Sequence, residues 1–193
     1  MSQLIQKAIL KMTDLHNGRV RKGDGKTPYS VHPLEVAMLF ARFVPQEWFI
    51  AGALLHDALE DAGCTYEQLT EEFGEGAASL VQLVTEDRSI TDYWERKAAA
   101  VERAKSHAFS MTLKAIDALV NMKDLIALLK EKGEKAWQVF NGSKELKLAY
   151  FRLILDTGLS MFHPELLADY VSALKDLEYA ELQAGGTALG FNS

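Results

Sequence analysis

The residues of this chain best placed to do chemistry lie at the end of an apolar run. In Ala51-Gly-Ala-Leu-Leu-His-Asp-Ala-Leu-Glu-Asp-Ala-Gly63, the residues His56, Asp57, Glu60 and Asp61 stand at i, i+1, i+4 and i+5. On a helix of about 3.6 residues per turn these four make one narrow polar wedge, two residues wide and two layers deep. Solvated charge at a helix end explains such a wedge without any function, so the His-Asp pair alone is weak evidence. Two further segments add to it. Thr27-Pro-Tyr-Ser-Val-His-Pro-Leu-Glu-Val-Ala37 sets His32 just before a helix, and Lys114-Ala-Ile-Asp-Ala-Leu-Val-Asn-Met-Lys-Asp124 sets Asp117 inside one. Asp117 keeps the company of Ile116, Ala118, Leu119 and Val120, where an unpaired carboxylate is expensive to bury. A metal or a cationic partner removes that cost, and Asn121, one turn later on the same face, could orient a ligand or a substrate. Two imidazoles and two carboxylates suit a divalent transition metal such as manganese, iron or zinc, with water at the open positions.

The elements that must position these groups are all helical. Leu4, Ile5, Ala8, Ile9, Met12 and Leu15 follow helical spacing, and a loop rich in glycine and charge follows from Gly18 to Pro28, with Arg19, Arg21, Lys22 and Lys26 close together. Pro33 fits the first turn of a second helix, from Leu34 to about Phe43, and Pro45 opens a third that runs through Leu59 toward a stop at Gly63. Thr65 and Gln68 have capping-box spacing, and Gly74 and Gly76 separate that short helix from one over Ala77 to Val84. Helical patterns recur at about 92–106, 110–131, 134–140, 143–157 and 164–182, and no alternating strand pattern stands out. The expected architecture is all-α, one irregular multi-helix domain over 1–184 with a flexible tail over 185–193, where three glycines raise the entropy cost of ordering.

Composition narrows the partners. A formal net charge of −6 argues against a nucleic acid polymer, whose binding rests mostly on a basic surface, yet leaves room for a small anion in a local basic pocket. No apolar run approaches the roughly 20 residues of a membrane-spanning helix. A lone cysteine, Cys64, makes an intrachain disulfide impossible and points to a reducing cytoplasm. Oligomeric state is not legible.

The ordered set of His32, His56-Asp57 and Asp117 resembles the four metal ligands of the HD superfamily. More narrowly, Arg21-Lys22 before a short Gly-rich loop and Pro-Tyr-x-x-His-Pro, then His-Asp-x-x-Glu-Asp, then Val84-Thr-Glu-Asp, resembles the hydrolase domain of RelA/SpoT proteins and the small alarmone hydrolases. The resemblance covers roughly residues 12 to 127; the C-terminal third, with Trp137 and Tyr150, fits loosely.

The resemblance implies a metal-dependent phosphohydrolase that removes the 3′-diphosphate of guanosine tetra- or pentaphosphate as pyrophosphate, leaving GDP or GTP. It further implies a metal on His32, His56, Asp57 and Asp117, most readily Mn²⁺ with Fe²⁺ or Zn²⁺ as alternatives, and catalytic roles for Glu60 and Asp61. Arg21 and Lys22 match the family's nucleotide-contacting pair, and Asn121 joins them as a substrate-binding residue. A bound divalent ion can bring the pKa of water toward about 7, which suits hydrolysis at neutral pH. The chain departs from the pattern at Ala118, where a basic residue commonly follows the aspartate, and in the loop Gly23-Asp-Gly-Lys-Thr27. His16 and Tyr29 read as structural. The length leaves no room for a synthetase domain, so hydrolysis alone is expected. Competing readings are an HD phosphohydrolase acting on NADPH or another nucleotide, a non-catalytic nucleotide sensor, and a helical interaction module.

Overall fold

The structure is a computed structural model that describes residues 2–61, 63–139 and 142–186. Its elements in chain order are α1 (Gln3–Leu15), α2 (Val31–Phe40), α3 (Glu47–Leu54), α4 (Ala58–Asp61), α5 (Tyr66–Phe73), α6 (Glu75–Val84), α7 (Tyr93–Ala104), α8 (Ala108–Lys132), a 3₁₀ segment (Gly133–Val139), α9 (Lys144–Gly158) and α10 (Pro164–Gly186). The fold is all-α. The described residues contain no named strand, only one antiparallel bridge between Val20 and Pro28 that closes the basic loop. No helix among them is long and apolar enough to cross a membrane.

Helix α8 is the axis of the molecule. Ala, Leu, Ile, Val and Met cover most of its circumference, the signature of a helix enclosed on all sides. It packs against α2, α6, α7, α9, α10 and the 3₁₀ segment. Lys114, Asp117, Asn121 and Asp124 follow along it at spacings of three and four, a polar stripe on one face of a core helix.

The capping box forms as the sequence predicts: the Gln68 N–H donates to Thr65 Oγ1 at 3.2 Å, and the Thr65 N–H to Gln68 Oε1 at 2.9 Å. Several boundaries differ from the sequence reading. Helix α2 begins at Val31, so His32 sits in its first turn, and it stops at Phe40. Gly76 lies inside α6 instead of ahead of it, and its lack of a side chain makes room for the Trp48 ring, which would stand 2.4 Å from an added Cβ. Of the segment expected as a helix over 134–140, residues 134–139 are 3₁₀, and 140 lies outside the described residues. Helix α10 continues through Gly185 and Gly186, the first residues of the segment expected as a tail, and 187–193 lie outside the described residues.

The third helix shows the largest difference. It does not run through Leu59 but ends at Leu54, and His56 and Asp57 occupy a turn before the one-turn α4. The break has a local cause. His56 Nδ1 lies 2.8 Å from the carbonyl of Ala53, and the Ala58 N–H closes a tight turn on Leu55 O at 2.8 Å. The apolar run therefore continues in sequence while the backbone turns, and the two polar residues point inward.

Candidate active site

Three segments meet where the polar face of α8 passes the turn after α3. His32 comes from the first turn of α2, His56 and Asp57 from the α3–α4 turn, and Asp117 from the middle of α8. One donor atom from each of His32, His56 and Asp57 lies within 4.8 Å of the others. Asp117 Oδ1 is 3.1 Å from His32 Nε2 and 3.9 Å from His56 Nε2, and His56 Nε2 is 3.4 Å from Asp57 Oδ1. Both histidines are buried.

The tautomer of His56 follows from its contacts. Nδ1 faces a carbonyl, which only accepts, so Nδ1 carries a proton and Nε2, facing Asp57 and Asp117, is the nitrogen left to take up a second proton or a metal ion. Burial opposes protonation of His56, but Asp57 and Asp117 outweigh it and lift its pKa above the ordinary histidine value. The same pairing acts on the carboxylates. Burial works against ionisation of Asp117, yet the hydrogen bond and charge of His32, with His56 and Lys114 beyond, hold it well below the usual carboxylate range. Asp57 is likewise lowered: burial is outweighed by His56 and His32, helped by the Tyr29 hydroxyl, which donates to Asp57 Oδ2 at 2.7 Å.

Around this centre opens a cleft of about 960 Å³, within the range of small-molecule sites. Glu60 lines it, and so do Arg21 and Lys22 of the basic loop, Arg96 and Lys97 of α7, and Lys147 and Tyr150 of α9. The side chain of Asp61 lies outside the described residues. Burial raises the Glu60 pKa; Lys114 pulls it down and Glu86 pushes it up, with a net rise. Lys22 is exposed. Asn121 is engaged at both ends of its amide, accepting from Arg21 Nη2 at 3.3 Å and donating from Nδ2 to Asp117 Oδ1 at 2.7 Å.

Several residues of the cleft carry no sequence signal strong enough to single them out. Tyr29 does pack against the loop, with the buried His16 ring 4.7 Å away, but its hydroxyl also reaches Asp57. The ammonium of Lys114 is buried and donates to Val84 O at 2.8 Å. Glu86 is held by Arg96 at 3.1 Å and by Lys97. Lys147 has its pKa depressed to about 8 by burial, with Lys97 and Lys22 adding repulsion.

A model of the HD domain matches residues 8–140. The chain belongs to the HD-domain family. Among similar proteins, one called a GTP pyrophosphokinase in Myxococcus xanthus is 33% identical over 94% of this chain and 24% of its own length. A guanosine-3′,5′-bis(diphosphate) 3′-pyrophosphohydrolase of Xenopus tropicalis is 34% identical over 63% of this chain and 69% of its own. This HD domain thus spans about a quarter of the first relative and about two thirds of the second. A solved structure described as a metazoan ortholog of SpoT that hydrolyses ppGpp aligns with a TM-score of 0.64 at 23% identity, covering 98% of this chain and 97% of that one; the likeness bears on the fold.

An HD domain carries a divalent metal, and the donors here fit one. His56 Nε2 is buried without a hydrogen-bond partner among the described residues and is aimed at two carboxylates, which is the environment of a ligand lone pair. His56 Nδ1, bonded to Ala53 O, fixes the ring in the orientation that ligation needs.

Proposed function

We propose that this HD domain hydrolyses guanosine tetra- or pentaphosphate at the 3′ position, releasing pyrophosphate and leaving GDP or GTP. The observation that carries the reading is the convergence of His32, His56, Asp57 and Asp117 at a cleft that also holds Glu60 and a set of cations. The names of relatives at 34–37% identity support the same substrate, a small phosphorylated nucleotide. A net charge of −6 weighs against a nucleic acid polymer.

The four ligands would hold one divalent ion, for which the mixed nitrogen and oxygen donors favour Mn²⁺, with Fe²⁺ or Zn²⁺ able to occupy the same set. When bound, the ion supplies Lewis acidity toward water and the phosphoryl oxygens. Lys22, Arg96, Lys97 and Lys147 supply cations for the phosphates, and Arg21 stands at the junction of the basic loop and α8. Glu60 is suited to proton transfer because burial lifts its pKa toward the working range. As the bond from phosphorus to the ribose 3′ oxygen breaks and one to water oxygen forms, Glu60 takes the water proton and, now an acid, gives that proton up for delivery to the departing 3′ oxygen. Asp61 is assigned the partner role in that transfer on its adjacency to Glu60 alone.

Product identity tests the reading. With Mn²⁺ present, guanosine tetraphosphate should give GDP and intact pyrophosphate in equal amounts. Orthophosphate as first product, or inertness toward the alarmone with turnover of NADPH, would sink the substrate while leaving the metal centre standing.

A further inference from the structure

We infer that Arg21 is a positioning residue for the metal ligand Asp117, acting through Asn121 and held in place by Asp124. The inference rests on the metal-centre reading above, and deepens it by assigning the basic loop work at the ligands as well as in the cleft.

The chain of contacts is short. Arg21 Nη2 reaches Asn121 Oδ1 at 3.3 Å and pairs with Asp124 Oδ2, and Asn121 Nδ2 donates to Asp117 Oδ1 at 2.7 Å. A primary amide can present either end to a neighbour, and the two orientations have opposite consequences for a carboxylate. A guanidinium only donates, so beside Arg21 the amide must turn its oxygen toward the cation. Its NH₂ group is thereby directed at Asp117. The reversed amide would set NH₂ against guanidinium and carbonyl against carboxylate, unfavourable at both ends. Arg21 thus selects the one orientation in which Asn121 steadies an ionised Asp117. The side chain of Arg21 is 14% exposed, so the selection is made with little competition from solvent.

Asp124 completes the device. It stands at i+7 from Asp117 and i+3 from Asn121 on the same face of α8, so its carboxylate anchors the guanidinium to the helix that bears the ligand. The loop is tied to α8 at two more points. Lys132 Nζ donates to Gly23 O at 2.7 Å, and Gly23 lies so close to Leu128 that an added Cβ would stand 2.9 Å from Leu128 Cδ1. The backbone that carries Arg21 is therefore fixed relative to Asp117. Groups that orient a metal ligand typically change metal affinity by about 10- to 100-fold when removed. Nothing in the sequence couples residue 21 to residue 117; the coupling exists only once the loop lies on α8.

The test is Mn²⁺ affinity, measured by calorimetry on the wild type, Arg21→Ala, Asn121→Ala and the double variant, with metal-free melting curves as a check of folding. Arg21→Ala is expected to lower Mn²⁺ affinity by about tenfold. The double variant should be no worse than Asn121→Ala, because both cuts sever one path. Arg21→Lys should recover part of the affinity, since a single nitrogen, Nη2, serves both acceptors and an ammonium can donate to two. Asp124→Asn, close in shape, should lose affinity in the same direction and carries the test if Arg21→Ala does not fold. Wild-type Mn²⁺ affinity in both Arg21→Ala and Asp124→Asn overturns the inference and leaves the metal centre intact. So does full additivity of Arg21→Ala and Asn121→Ala. A wild type that binds no divalent metal overturns both.

Discussion

Glu60 Oε1 accepts the backbone N–H of Glu86 at 2.6 Å, which ties the short α4 to the segment that leaves α6. The side chain of Glu86 is itself gripped by Arg96 and Lys97, so the orientation of Glu60 depends on α7 as well. One consequence is that Glu60 stays a half-buried carboxylate with a raised pKa instead of swinging to solvent.

Glu60→Gln should lower turnover by about 10²- to 10⁴-fold, the usual contribution of a general acid–base group, while Mn²⁺ content stays at the wild-type level. Stability should move the other way. A carboxyl whose folded pKa exceeds its unfolded value, here 4.5, binds more protons when folded, so its stability contribution is lost as pH rises through that window. Above the window the neutral amide is the better occupant, and the melting temperature at pH 7 should rise. A fall in both metal content and melting temperature would contradict this assignment.

Tyr29→Phe removes the hydroxyl from Asp57 and nothing else of the ring packing with His16. Metal affinity should drop by about tenfold, as for other outer partners of a ligand. The melting temperature of the metal-free protein should change little. Titration with Mn²⁺ followed by thermal melts reads both quantities on one sample.

Lys147 gives a pH signature in the alkaline range. Its pKa falls from 10.5 to about 8 in the fold, so the folded state binds fewer protons than the unfolded state between those values, and stability rises with pH across that window. Nucleotide binding should run in the opposite direction. A phosphate drawn to the ammonium loses its partner as pH climbs through about 8. Guanosine tetraphosphate binding to Glu60→Gln should therefore weaken over this range, and the additional Lys147→Met change should make it weaker and flat. Equal pH dependence with and without Lys147 would assign the effect elsewhere.

Gly158→Ala separates structure from chemistry. A Cβ there would stand 2.1 Å from Cζ of the buried Phe162 ring, and overpacking of this kind costs about 1–3 kcal/mol. The expected result is a lower melting temperature with Mn²⁺ affinity unchanged, since Gly158 is the last residue of α9 and far along the chain from every ligand.

Much of this arrangement is legible in the sequence because some signals are local. The capping box from Thr65 to Gln68 is a four-residue pattern with one structural solution. Asp117 stands out because its neighbours are apolar and a bare carboxylate there is untenable. The break after Leu54 is hidden, for Leu54, Leu55 and Leu59 keep helical spacing through it and the cause is a side-chain nitrogen at Ala53 O. Tyr29, Lys114 and Asp124 are hidden for another reason. Tyr29 reads as structural, and Lys114 and Asp124 as ordinary helix polar residues, until folding brings them to Asp57, Val84 and Arg21, and such pairings leave no periodic trace.

The origin of the four proposed ligands in α2, the α3–α4 turn and α8 also bears on when such a centre can exist. Apart from His56 and Asp57, every pair of ligands is separated by a long stretch of chain, and closing such loops carries an entropic cost that must be met before the ligands meet. In small metal-folded modules the ion clamps a short loop and drives the folding itself. Here α8 must first be enclosed by the other helices. On the proposed ligand set, binding would follow the packing of the core, since Asp117 reaches the others only once α8 is in place.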